Sequence, residues 1–194
     1  MTLHLLAFSG SLRKRSYNSA LLRACADLLP PDMTLEIFDL APLPMYNDDV
    51  YHQGFPAEVQ HFRERIVAAD ALLIATPEYN HSIPGALKNA IDWASRPDQH
   101  GYRPLNWKPA GIMGVVDGGY GAVTALSHLR EILASVNCYV VSKPAIRVPY
   151  ANKKFDADLR LTDEATRTFV RKLLVELADF APRFADLAVK PAKA

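Results

Sequence analysis

The feature that most constrains this chain is an alternation of short, nearly unbroken apolar runs with longer stretches of helical periodicity. Residues 3–8 are apolar except for His4 and end at Ser9-Gly10-Ser11. Leu21, Leu22, Cys25, Leu28 and Leu29 follow at helical spacing, and Pro30-Pro31 ends that helix. Residues 35–40 predict a second strand, and residues 41–55 a long irregular loop. Val59, Phe62, Ile66 and Ala69 mark one face of a helix, and residues 71–75 form a third apolar run. Pro84 suits a first helical turn, and Leu87, Ala90, Ile91 and Ala94 continue the stripe. Residues 112–116 predict a fourth strand, and Val123, Leu126, Leu129, Leu133 and Val136 another helical face. Residues 138–141 and 146–148 predict a last strand, whole or broken at Pro144. A final helix is expected over 163–181, with Thr162 as its cap.

Runs this short and this apolar suit strands buried on both faces, which is the condition of a parallel sheet. Strands alternating with helices require right-handed crossovers. The expected fold is therefore α/β. A five-stranded sheet with a mononucleotide-sized site favours the flavodoxin-like three-layer sandwich, order 2-1-3-4-5, over the six-stranded dinucleotide order. A single domain is expected over residues 1–187, with a short frayed tail over 188–194.

The formal net charge is +1, so no bulk charge draws the chain to nucleic acid or to an anionic membrane. No apolar stretch approaches the roughly 18 residues of a membrane span. Cys25 and Cys138 share no CxxC spacing, and no signal peptide is read at the start. Reduced thiols and a cytoplasmic location are expected. The six histidines form no ligand-spaced cluster, so no metal site is expected.

In an open parallel sheet the ligand site lies beyond the carboxyl ends of the strands, where strand order reverses. The loops after strands one, three and four hold the unusual residues of this chain. The first runs from Ser9 to Ser19 into a helix N-terminus. Ser9, Ser11, Ser16, Asn18 and Arg13 there suit a phosphate, which the helix dipole also favours. The loop is neither a Walker loop nor GxGxxG. The second carries Pro77, Glu78, Tyr79 and Asn80. Its N–H groups suit carbonyls of a flat ring system, and Tyr79 suits the ring face or its tail. The third is Asp117-Gly118-Gly119-Tyr120-Gly121, whose glycines let backbone approach a ligand closely.

Three segments in order, GSLRKRSYN from Gly10, PEYNHSIPGALKNAIDWAS from Pro77 and DGGYGA from Asp117, resemble the NADPH-dependent FMN reductases. That group includes bacterial quinone and chromate reductases and azoreductase-like flavoproteins. The resemblance spans roughly residues 3–150. It implies FMN as cofactor and NADPH or NADH as co-substrate. Electrons would pass by a ping-pong mechanism to a small-molecule acceptor: a quinone, flavin, azo compound or metal oxyanion. By the resemblance, Ser11, Arg13, Ser16 and Asn18 hold the FMN phosphate. Pro77, Glu78, Tyr79 and Asn80 line the ribityl chain and ring, and Gly118 and Gly119 lie near the ring's polar edge. Many relatives carry Ser or Thr in place of Asp117. A carboxylate there would oppose an anionic reduced flavin, so its side chain is expected to point away. No residue is assigned as general acid or base, because the cofactor carries the chemistry. The resemblance also implies a homodimer or homotetramer with each flavin near a subunit boundary. Residues 45–51 are a candidate to reach a partner, or belong to their own subunit's surface. An electron-transfer flavodoxin without its own NAD(P)H activity is the rival reading, and the near-neutral charge argues against it.

Overall fold

The apolar runs become the strands of one parallel sheet. A computed structural model describes residues 2–187, and the tail expected over 188–194 lies outside the described residues. β1 (Leu3–Ser9) leads to α1 (Tyr17–Ala26), β2 (Met33–Phe38), a one-turn helix α2 (Asp48–Tyr51) and α3 (Ala57–Ala68). β3 (Ala71–Thr76), α4 (Gly85–Ser95), β4 (Pro109–Val115) and α5 (Val123–Ser135) follow. β5 (Tyr139–Val140), β6 (Ile146–Val148) and α6 (Glu164–Phe180) complete the main elements. The strand order is β2-β1-β3-β4-β5, all parallel, with β6 also paired to β4. This is the expected order 2-1-3-4-5, with its fifth position shared by two short strands. Pro109 pairs with Tyr139 and Ala110 with Val140, whereas Met113 to Val115 pair with Ile146 to Val148. Pro144 falls in the gap, where the predicted break lies.

Strand alternation sends side chains to two cores. Leu6, Phe8, Leu72, Ile74 and Ile112 face one side, where they pack with α3, α4 and α5. Leu5, Ala7, Leu73, Met113 and Val115 face the other, where α1 and α6 cover them. β3 and β4 are buried along their whole length, as continuous apolar runs require. Trp93 is fully buried, while Trp107 is a third exposed and stacks on Tyr139 with ring centroids 5.2 Å apart. Both cysteines are free and buried, and burial pushes each thiol up to about 12. No helix among the described residues is long and apolar enough to cross a membrane.

Some boundaries differ from the sequence reading. α1 starts at Tyr17 because Ser16 caps it, accepting from the Ser19 N–H at 3.2 Å. β2 lies two residues earlier than predicted, because its pairing with β1 runs from Met33 to Phe38. The loop over 41–55 contains α2, capped by Asn47. The cap of α6 is Asp163, not Thr162. The Asp163 carboxylate accepts from the Thr166 N–H at 2.8 Å and the Thr166 hydroxyl at 2.6 Å. It also accepts from Lys154 Nζ at 2.6 Å.

The Lys154 and Thr166 hydrogen bonds hold the Asp163 carboxyl well below its usual range, at about 2. A carboxylate depressed on folding contributes stability above its unfolded pKa, and that contribution is lost as pH falls through the folded value. Asp163→Asn is therefore expected to lower the urea midpoint at neutral pH. It should also flatten the wild-type loss of stability between about pH 4 and pH 2. Parallel pH profiles for the two proteins would argue against this cap.

Candidate active site

The three predicted loops emerge side by side, because β1, β3 and β4 are neighbours in the sheet. Ser9 pairs with Ala75, Thr76 pairs with Gly114, and the Gly10 N–H donates to Ala75 O at 2.8 Å. A Cβ on Gly10 would lie 3.2 Å from both Leu87 and the Thr76 hydroxyl, so this first turn is tightly seated.

In the first loop, the Ser11 N–H donates to Ser9 Oγ at 3.1 Å, and the Arg13 N–H reaches Ser11 Oγ at 3.4 Å. Ser11 and Ser16 are buried, whereas Arg13 is exposed. No hydrogen bond or ion pair engages the Arg13 side chain among the described residues. The first N–H groups of a helix have no intrahelical partner, and those of Tyr17 and Asn18 gain none among the described residues. Ser16 uses a lone pair in capping, which leaves its O–H free to donate. Open N–H groups, a free hydroxyl and an unpaired guanidinium at one helix start fit a phosphate.

Asn18 takes a different part from the one the sequence predicts for it. Its side chain is buried and clasps one residue of β4: Nδ2 donates to Val115 O at 2.9 Å, and Oδ1 accepts from the Val115 N–H at 3.0 Å. Val115 lies one step past the last β3–β4 pair, at the carboxyl end of β4. The amide of Asn18 engages this strand end as a neighbouring strand would. It fixes the helix start against β4, and its backbone N–H remains the group available to an anion.

The second loop is a tight turn. The Tyr79 N–H donates to Ser82 O at 2.9 Å, and the Ser82 N–H donates to Tyr79 O at 3.0 Å. Asn80 and His81 both have positive φ, +49° and +60°, as a two-residue type I′ turn demands. Pro77 is buried at its base, Tyr79 is 46% exposed and Asn80 is exposed. Glu78 does not face open solvent. Its Oε2 accepts from the N–H groups of Thr124 and Ala125 at 2.9 and 3.0 Å. The local cap residue of α5, Ala122, is left-handed and has no capping side chain. Glu78 therefore caps α5 from another loop, where the helix dipole favours a carboxylate.

In the third loop, Asp117, Gly118 and Gly119 are all exposed. The Asp117 side chain has no hydrogen bond or ion pair among the described residues. Gly118 O accepts from the Tyr150 N–H at 3.2 Å. A Cβ on Gly119 would stand 2.8 Å from the Tyr150 hydroxyl, so Tyr150 closes over this turn. Gly121 is required on two counts: its φ is +61°, and a Cβ would approach the Arg147 Cβ to 2.9 Å. Tyr150 belongs to no motif, and the sequence reading misses it. It follows β6 and reaches the site only because β6 pairs with the end of β4. Among the described residues no cluster of three metal-ligating side chains occurs.

The family model described as NADPH-dependent FMN reductase matches residues 3–153. The chain is 48% identical over 172 residues to an NAD(P)H-dependent FMN reductase of Pseudomonas aeruginosa, covering 89% of this chain and 91% of that one. It is 38% identical over 178 residues to a 2-hydroxy-1,4-benzoquinone reductase of a Burkholderia species, covering 92% and 96%. The solved structure of FerB, a flavoenzyme NAD(P)H:(acceptor) oxidoreductase from Paracoccus denitrificans, superposes with a TM-score of 0.84 at 33% identity. That match covers 94% of this chain and 99% of FerB. The chain belongs to the NADPH-dependent FMN reductase family.

Proposed function

We propose that this protein binds FMN across its three loops and uses NADPH or NADH to reduce a quinone-type acceptor by a ping-pong mechanism. The observation that carries the reading is the convergence at one sheet edge of an anion-ready helix start and an exposed glycine turn. The Tyr17 and Asn18 N–H groups, the Ser16 hydroxyl and Arg13 would hold the phosphate. Tyr79 offers half-exposed aromatic surface beside the ring, and the backbone at Gly118 and Gly119 would meet its polar edge. Bound FMN supplies a two-electron relay between nicotinamide nucleotide and acceptor. The residues of this chain bind and orient, and no side chain is assigned as acid or base. Relatives named for benzoquinone and quinone reduction support a quinone as acceptor. A homo-oligomer is part of the proposal. Met45, in the candidate partner loop, is 76% exposed, while Asn89 and Trp93 hold the adjoining Pro44 carbonyl at 2.9 and 2.8 Å.

The test is FMN uptake followed by steady-state titration of NADH and NADPH against benzoquinone. Stoichiometric FMN and parallel double-reciprocal lines are expected. Bound FMN without NAD(P)H oxidation would move the protein to the electron-transfer reading. Failure to take up FMN would reject the site.

A further inference from the structure

The break in the fifth strand leaves a notch that the flavin reading does not use. Residues 142–145 leave the ladder between β5 and β6. A cavity of about 90 Å³ lies there, lined by Ile112, Leu126, Ser127, Arg130, Ala145 and Arg147. Arg130 is held in place: its Nη2 donates to Val141 O at 3.0 Å and Ser142 O at 3.4 Å. Its Nη1 and Nε have no hydrogen-bond partner among the described residues. Arg147 has no side-chain hydrogen bond or ion pair among them either. Ser127 is committed to Val123 O at 2.9 Å.

Two cationic side chains thus share one small cavity whose lining contains no carboxylate. Burial, and then the charge of Arg147, lowers the proton affinity of Arg130 below its ordinary value. Partial desolvation and like charge both oppose this arrangement, and an anion between the two guanidinium groups relieves both. The volume is ample for one tetrahedral oxyanion.

We propose that this notch binds a single phosphate group, free or carried by a phosphate ester, between Arg130 and Arg147. The residues lining this notch are not among those proposed to hold the flavin.

The test is calorimetric titration of inorganic phosphate into FMN-saturated protein, so that the loop after β1 does not compete. Saturable binding is expected, displaced by sulfate. Arg147→Gln, at an exposed position, should weaken it about tenfold or more. Phosphate that competes with NADPH but not NADH would identify the nucleotide's 2′-phosphate as the source. Phosphate that competes with neither would identify the free ion. No saturable binding, or unchanged affinity in Arg147→Gln, would overturn the proposal. So would a change in assembly mass in that variant without phosphate binding by the wild type, because a partner's carboxylate would then fill the notch.

Discussion

Asn18→Ala is expected to destabilise the protein by about 2–4 kcal/mol, because it removes two hydrogen bonds and strands a buried donor and acceptor. The stranded groups are the Val115 N–H and C=O, which Asn18 engages at 3.0 and 2.9 Å. Urea unfolding would read the loss as a lower midpoint at unchanged slope. Asn18→Asp isolates the donor: it keeps the shape, loses the bond to Val115 O, and buries a carboxylate against that carbonyl. Its cost should match or exceed that of alanine. A change within about 0.5 kcal/mol for both variants would place Asn18 among ordinary surface substitutions and refute the clasp.

Arg13→Ala is expected to weaken FMN binding by about 1.5–3 kcal/mol, the range of a hydrogen bond to a charged group. That is roughly tenfold to a hundredfold in affinity, read by quenching of FMN fluorescence. Folding stability without FMN should change little, since Arg13 is exposed and its side chain is unengaged among the described residues. Lys14→Ala, one residue along the same loop, is the control and should leave affinity nearly intact. Equal affinity in wild type and Arg13→Ala would remove Arg13 from the phosphate site.

The sheet was legible because each buried strand had to be written as an apolar run. β3 and β4 show this most directly. The broken fifth strand was legible through Pro144, which interrupts its apolar pattern. Edges were less so. β2 is set by its pairing with β1, and its half-exposed pattern does not mark its ends. Thr162 and Asp163 are both good caps, and only the reach of Lys154 and Thr166 decides between them.

At the site, the loops could be found from topology, but the division of labour within them could not. A buried asparagine at a helix start looks the same in sequence whether it meets a ligand or a strand end. Asn18 is decided by the far end of β4, where the Val115 N–H and C=O lie beyond the last β3–β4 pair, and nothing near position 18 in the sequence marks that meeting. Glu78 is decided by Ala122, which leaves α5 without a cap of its own. Tyr150 has no local pattern at all, and only the pairing of β6 with β4 brings it to Gly119.

The Glu78 bond to α5 has a consequence for how long a ligand stays. Because it ties the turn after β3 to the helix behind the glycine loop, two walls of the cleft move as one body. A molecule settling between them spends little of its contact free energy on ordering them. Departure then requires its contacts to be lost together, with no wall loosening ahead of the rest. For the FMN proposed to bind there, slow dissociation is the expected result, since affinity differences are expressed mainly in the off-rate. Such a cleft suits an occupant that must outlast many visits by smaller, faster partners.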